Sequence, residues 1–224
     1  MWLWVQGFTG EQFSIKHKTF LLGICGPTCS GKTEVSLELQ KIFKDYKPYL
    51  FSLDMYYRSL PEDIKPEEYN FDCPEALDFP LIMRNLNILI EGREFESPLY
   101  DFKIHKRVSY EKVKIKTNLI IAEGIFLFYF KELREKLNFK VYLEAREEEI
   151  LKRRVERDKK LRGSDFKFIK NQIQRFVFPG NKKYVENYKK FADLILPPNL
   201  SIREKAEIIS QHIDKNLLKY GNET

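Results

Sequence analysis

Gly26-Pro27-Thr28-Cys29-Ser30-Gly31-Lys32-Thr33 matches G-x-x-x-x-G-K-[ST] without a mismatch. Phe20 to Cys25 before it is an apolar run of strand type. Glu34 to Phe43 after it permits a helix, with Val35, Leu37, Leu39, Ile42 and Phe43 apolar. Strand, glycine loop and helix in that order are the context the motif needs. The glycines at 26 and 31 let successive backbone N–H groups turn inward, and the following helix adds the positive end of its dipole. The stretch therefore predicts a grip on nucleotide phosphates by residues 26–33. Lys32 is expected to reach the β and γ phosphates, and the Thr33 hydroxyl to ligate magnesium. Cys29 falls at an unspecified position of the motif, and nothing marks it as a nucleophile.

The remainder of the chain reads as α/β. Tyr46–Ser52, Leu119–Ala122, Phe139–Leu143 and Leu194–Leu196 are strand candidates. Pro74–Leu89, Phe126–Lys136, Arg146–Leu161, Phe166–Val177 and Ile202–Leu218 are helix candidates, the fourth ended by Pro179, and Tyr184–Phe191 is short and helical. Alternation of buried strands with helices predicts a mostly parallel sheet flanked by helices. The segment 92–116 alternates charge with aromatic and β-branched residues and predicts an inserted, half-buried hairpin. Residues 58–73 read as a long loop, and 1–18 as an extension that could form a small hairpin. One domain is expected over 1–224.

Bulk composition narrows the function classes. At 43% hydrophobic and 32% charged the chain is an ordinary globular one, and no run approaches a membrane span. Three scattered cysteines argue for a reducing compartment, and the N-terminus does not read as a secretory signal, so a cytoplasmic protein is expected. The net charge of +6 suits a polyphosphate pocket as well as it suits nucleic acid. The basic residues are spread along the chain, and no nucleic-acid or membrane partner is expected.

Two acids stand at strand ends. Glu123 follows Leu119-Ile120-Ile121-Ala122 and is placed to hold magnesium, directly or through water. Asp54, after the second strand, faces the same sheet edge and could take a proton from a hydroxyl under phosphorylation. A turn aspartate is an equally good reading of Asp54 from spacing alone.

Further pieces carry a resemblance. They are Asp54-Met55-Tyr56-Tyr57-Arg58, Asn70-Phe71-Asp72-Cys73-Pro74-Glu75-Ala76, and Pro98-Leu99-Tyr100-Asp101-Phe102 with His105 and Arg107. Glu123-Gly124-Ile125, Arg153-Arg154-Val155-Glu156-Arg157-Asp158 with Arg162-Gly163, and Ala192-Asp193 follow. With the phosphate loop this ordered set, over about 20–197, resembles the uridine kinase (uridine-cytidine kinase) family, which is close to phosphoribulokinase and the P-loop pantothenate kinases. Pro27 and Cys29 depart from the family's Gly- and Ser-rich loop, and a proline frequent before Ala192-Asp193 is missing.

The resemblance implies ATP-dependent phosphorylation of the 5′-hydroxyl of uridine or cytidine, with Mg2+. It implies Asp54 as general base, Asp72 on the ribose hydroxyls, and Tyr57 lining the nucleoside site. It implies Tyr100 and His105 against the pyrimidine, and Arg157 and Gln172 helping to hold the nucleoside. Arg154 and Arg162 would belong to a lid over the phosphates, at about 154–163, and Asp193 would lie near the adenine. Arg153 reads as a surface residue, and simple i,i+4 ion pairs are the bland alternative for Arg154, Asp158 and Arg162. A homotetramer is a further implication. The rivals are a related kinase for pantothenate or ribulose 5-phosphate, and a nucleotide-binding interaction protein without catalysis. A GTP switch is disfavoured, because Asn181-Lys182-Lys183-Tyr184 lacks the aspartate of a guanine reader.

Overall fold

The computed structural model describes residues 19–162 and 165–220, without the side chains of 161–162 and 214–220. The hairpin expected within 1–18 lies outside the described residues, as does the side chain of Arg162. Strand β1 (Phe20–Cys25) leads through the phosphate loop into α1 (Lys32–Ile42), and β2 (Tyr49–Ser52) follows. Helix α2 (Phe79–Ile90) precedes the pair β3 (Phe95–Asp101) and β4 (Lys106–Val113). Next come β5 (Leu119–Glu123), the short α3 (Lys131–Arg134), β6 (Phe139–Leu143) and α4 (Glu147–Arg157). The chain closes with α5 (Phe166–Gln172), α6 (Phe178–Tyr184), β7 (Leu194–Leu196) and α7 (Ile202–Tyr220).

Five strands form one parallel sheet in the order β2-β5-β1-β6-β7. Every residue of β1 and β5 is buried, as expected for central strands covered on both faces. Successive side chains alternate between two cores. Phe20, Leu22 and Ile24 face Val35 and Leu39 of α1 and Ala206, Ile209 and Ile213 of α7. Leu21 and Cys25 face the opposite layer, with Ile82, Leu86 and Leu89 of α2 and the cluster Phe126 to Phe128. Each fully buried Leu or Ile there contributes about 1.5–3 kcal/mol. Among the described residues no helix is long and apolar enough to cross a membrane.

β3 and β4 pair antiparallel outside this sheet. The hairpin is half-buried as expected, through β3, while most of β4 is exposed. Asn85, buried on α2, fixes it by donating to the Glu96 carbonyl at 2.8 Å and to the Tyr56 hydroxyl at 3.3 Å.

Three expected helices differ. The helix expected from Pro74 begins at Phe79: Pro74–Ala76 is a separate 3-10 turn, Asp78 caps α2 by accepting from the Leu81 amide, and Pro80 sits in the first turn. Phe126–Lys136 is helical only over Lys131–Arg134. Phe126, Leu127 and Phe128 are all fully buried, and one helix face cannot bury three consecutive side chains, so tight turns replace it. Pro179 opens α6 rather than ending the preceding helix.

Candidate active site

Parallel strands send their following loops to one edge of the sheet, and ligands bind at that edge. The phosphate loop leaves β1, Asp54 follows β2, and Glu123 ends β5. These are adjacent strands, so three predicted groups converge through topology alone.

In the phosphate loop Cys29 (φ 58) and Gly31 (φ 90) take left-handed backbone, curling the chain around its amides. The Lys32 ammonium is buried and donates to the carbonyls of Gly26 at 3.1 Å and Pro27 at 2.8 Å. Glu123 Oε1 accepts from Thr33 Oγ1 at 3.4 Å and from Ser52 Oγ at 2.5 Å. Ser52 stands opposite Glu123 in the β2–β5 register, which puts its hydroxyl there. Burial first, and the Asp54 charge second, push the Glu123 carboxyl up to about 7, against the pull of Lys32. A buried carboxylate beside a second acid and two hydroxyls is a hard-oxygen environment of the kind magnesium takes. Among the described residues no three His, Cys, Asp or Glu side chains cluster into a metal cage, so phosphate oxygens and water would complete such a shell.

Two cavities meet at Asp54. One, the donor-side cleft, is lined by Thr28, Cys29 and Gly31 to Thr33 of the loop, Glu123, Arg153, Leu200 to Ile202 and Lys205. The other is lined by Tyr57, Phe71, Asp72, Tyr100, Phe102, His105, Arg154, Phe168 and Gln172. Thr28, Asp54, Ile125 and Arg157 line both. All six residues expected to bind the acceptor thus surround one cavity.

The acceptor-side cavity has an aromatic wall. His105 stacks on Phe71 with centroids 4.5 Å apart, and Tyr57 lies 5.7 Å from Tyr100. His105 sits at the hairpin tip with φ 53, and its carbonyl accepts from the Leu60 amide at 2.8 Å. Arg107 ties the hairpin to the β2 loop: it donates to the carbonyls of Tyr57 at 2.8 Å and Tyr56 at 2.9 Å, and pairs with Asp78 at 3.0 Å. The polar wall is a buried charge chain. Arg154 pairs with both oxygens of Asp72, at 3.3 and 3.4 Å, and with Asp158 at 3.4 Å. Arg157 donates to Asp158 at 2.9 Å. Burial opposes the Arg154 charge, but Asp72 and Asp158 outweigh it and hold the guanidinium above its ordinary value. Gln172 donates to the Pro66 carbonyl at 2.9 Å, and among the described residues none donates to its buried Oε1.

Several expected positions change. Arg154 lies in the acceptor-side cavity, where it reaches Asp72 from the last turn of α4; it does not line the donor-side cleft. Arg153 is exposed, as read from the sequence, but it also donates to the Cys29 carbonyl at 3.2 Å and lines that cleft. Asp193 is not in either cavity. It precedes β7, so it lies at the opposite edge of a parallel sheet, where its carboxylate accepts from the Lys140 amide at 2.8 Å and pairs with the Lys140 ammonium at 3.0 Å. The far side of the donor-side cleft is built instead from the residues after β7, 200–205. Ser52 and Phe168 carry no mark in the sequence, and Phe71 and Phe102 enter there only as members of motif stretches. Phe71 is adjacent to Asp72 and Ser52 is two before Asp54, and those spacings are the signals available.

A five-stranded parallel sheet with this loop on its central strand defines a P-loop kinase fold. Phosphoribulokinase of Rhodobacter spheroides shares that fold with a TM-score of 0.63 and 12% identity, over 81% of this chain and 70% of its own. The chain belongs to the phosphoribulokinase / uridine kinase family, whose profile matches residues 21–202. Among its relatives, uridine-cytidine kinase B of Dictyostelium discoideum is 34% identical over 204 residues, 90% of this chain and 84% of that protein. Uridine-cytidine kinase A of the same organism is 32% identical over 201 residues, 90% of this chain, and the chain spans 40% of its length.

Proposed function

We propose that the protein transfers the γ-phosphoryl group of ATP to the 5′-hydroxyl of uridine or cytidine, giving UMP or CMP. The observation that carries the reading is Asp54, which lines both the phosphate-loop cleft and the aromatic, hydrogen-bonding cavity next to it. A carboxylate at that junction can accept a proton from a hydroxyl in the second cavity as the oxygen attacks a phosphorus in the first. The names of the relatives supply the nucleoside.

In this mechanism the loop amides and Lys32 hold the β and γ phosphates, and Arg153 and Arg157 add positive charge from α4. Thr33 and Glu123, with Ser52 behind them, would hold magnesium, which when bound supplies neutralisation of phosphate charge. Asp72 accepts from the ribose hydroxyls while Arg154, bonded to both of its oxygens, orients it. Tyr57, Tyr100 and Phe71 give the pyrimidine flat apolar partners, and His105 offers it one donor and one acceptor. The aromatic wall and the segment 154–163, acting as a lid, exclude water that would compete as acceptor. The chain works as a single domain and, by family resemblance, as a homotetramer.

The test is a panel of acceptors. Purified protein with magnesium-ATP is offered uridine, cytidine, other nucleosides, pantothenate and ribulose 5-phosphate, and acceptor-dependent ADP release is measured. The reading expects release with uridine or cytidine. Release only with pantothenate or ribulose 5-phosphate would move the assignment to a related kinase, and none with any acceptor would end it.

A further inference from the structure

A buried cation on α7 has no part in the scheme above. Lys205 is 2% exposed, yet it lines the donor-side cleft together with Lys32 and Arg153. Among the described residues no carboxylate pairs with its ammonium and no oxygen accepts a hydrogen bond from it. Glu149, which attracts it, is engaged by Arg153 at 3.3 Å. Burial first, and repulsion from Arg153 second, hold its pKa below the ordinary lysine value.

The chain nevertheless fixes Lys205 firmly. Ser201-Ile202-Arg203-Glu204 forms a reciprocal capping box: the Ser201 amide donates to Glu204 Oε2 at 2.8 Å, and the Glu204 amide to Ser201 Oγ at 3.2 Å. The Lys205 amide continues the turn, donating to the Ser201 carbonyl at 3.0 Å. Ile202 seats this turn on the phosphate loop so closely that a Cβ on Gly31 would lie 2.8 Å from its Cδ1. A cation in the first turn opposes the helix dipole, and an ammonium partly desolvated without a counter-charge is costly. Neither effect stabilises the apo fold, so an anion entering the cleft is the partner that this placement lacks.

We propose that Lys205 is a donor-binding residue whose ammonium donates to the polyphosphate of the bound nucleotide, joining the cations of the phosphate loop and α4. The proposal rests on the reading that this cleft takes a nucleoside triphosphate. Polyphosphate supplies negative charge to Lys205 and Arg153 together, which relieves their mutual repulsion.

The test uses Lys205→Met, which keeps the unbranched stem, Lys205→Arg, which keeps the charge, and Lys41→Met, which removes one exposed charge elsewhere. Titration calorimetry of the full chain with inorganic tripolyphosphate reads the contact directly. The dissociation constant is expected to rise about tenfold or more in Lys205→Met, to stay near wild type in Lys41→Met, and to recover in Lys205→Arg. The KM for ATP should follow, with the acceptor KM unchanged and the urea midpoint of Lys205→Met no lower than wild type. Wild-type affinity for tripolyphosphate in Lys205→Met would overturn the proposal and leave the kinase reading standing, as would equal rises in both KM values. A wild-type protein that bound neither tripolyphosphate nor ATP would overturn the kinase reading itself.

Discussion

Replacing Glu123 with glutamine keeps the shape of a side chain that accepts from Ser52 and Thr33, and removes its charge. The carboxyl is buried and pushed from its ordinary 4.5 up to about 7, by desolvation and then by Asp54. At about 1.4 kcal/mol for each tenfold change in proton affinity, that gap opposes the ionised form by about 3 kcal/mol. The folded protein binds this proton more tightly than the unfolded chain does. The contribution is therefore fully present below the ordinary value of 4.5 and is lost as pH rises through about 7. Glutamine does not titrate. Urea unfolding of apo wild type and Glu123→Gln, without metal or nucleotide, should give similar stabilities at pH 5. By pH 8 the variant should be the more stable by up to about 3 kcal/mol. Magnesium and ATP should then stabilise wild type far more than the variant, if the carboxylate holds magnesium as proposed. The difference between the two proteins cancels the titrations of groups that do not interact with Glu123; Asp54, which does, is held in both. Parallel stability curves from pH 5 to pH 8 would refute the reasoning, because they would mean that Glu123 ionises freely in the apo fold.

Other perturbations test other parts of the site. Asp54→Asn should lower kcat about 100- to 10,000-fold, the range for loss of a general base, with the KM for ATP little changed in steady-state assays; a near-normal kcat would remove Asp54 from proton transfer. His105→Asn retains a residue type that accepts left-handed backbone, so it isolates the ring. It should raise the nucleoside KM about tenfold or more through loss of a hydrogen bond and a stacked ring, and spare ATP binding; equal losses for both substrates would contradict a base contact. In Gly180→Ala the new Cβ would lie 2.3 Å from the Asp72 carbonyl oxygen, a contact that must displace backbone. Overpacking of about 1–3 kcal/mol outweighs the gain of about 1 kcal/mol in helix propensity. Lower stability in urea and a raised acceptor KM are expected, and a stabilised variant with a normal KM would refute the link from α6 to Asp72.

The unit β1–phosphate loop–α1 was legible because strand, glycine turn and helix are all local patterns, and the strand boundaries Phe20–Cys25 were read to the residue. The acids at 54 and 123 were legible as strand-end positions, and parallel topology brings them together. Non-local packing hid the rest. The periodicity of Phe126 to Lys136 suits a helix, but three consecutive buried residues meet the α2 layer only in a turn. Arg153 and Arg154 are neighbours in sequence, and a rotation of 100° per helical residue decides which of them reaches the phosphate loop and which reaches Asp72. Asp193, which the resemblance implies near the adenine, precedes β7, and a residue before a parallel strand does not share the edge that follows it. Lys205 carries no local mark. Only the seating of α7 on Gly31 places it beside the donor-side cleft.

The most direct measurement of the central claim follows the phosphoryl group itself. Protein, magnesium and ATP labelled in the γ-phosphate are incubated with uridine or with 5′-deoxyuridine, and the products are separated. Label should appear in UMP with uridine, should be absent from any nucleotide with 5′-deoxyuridine, and should be lost from UMP in Asp54→Asn. Label released only as inorganic phosphate, whatever nucleoside is present, would contradict the account.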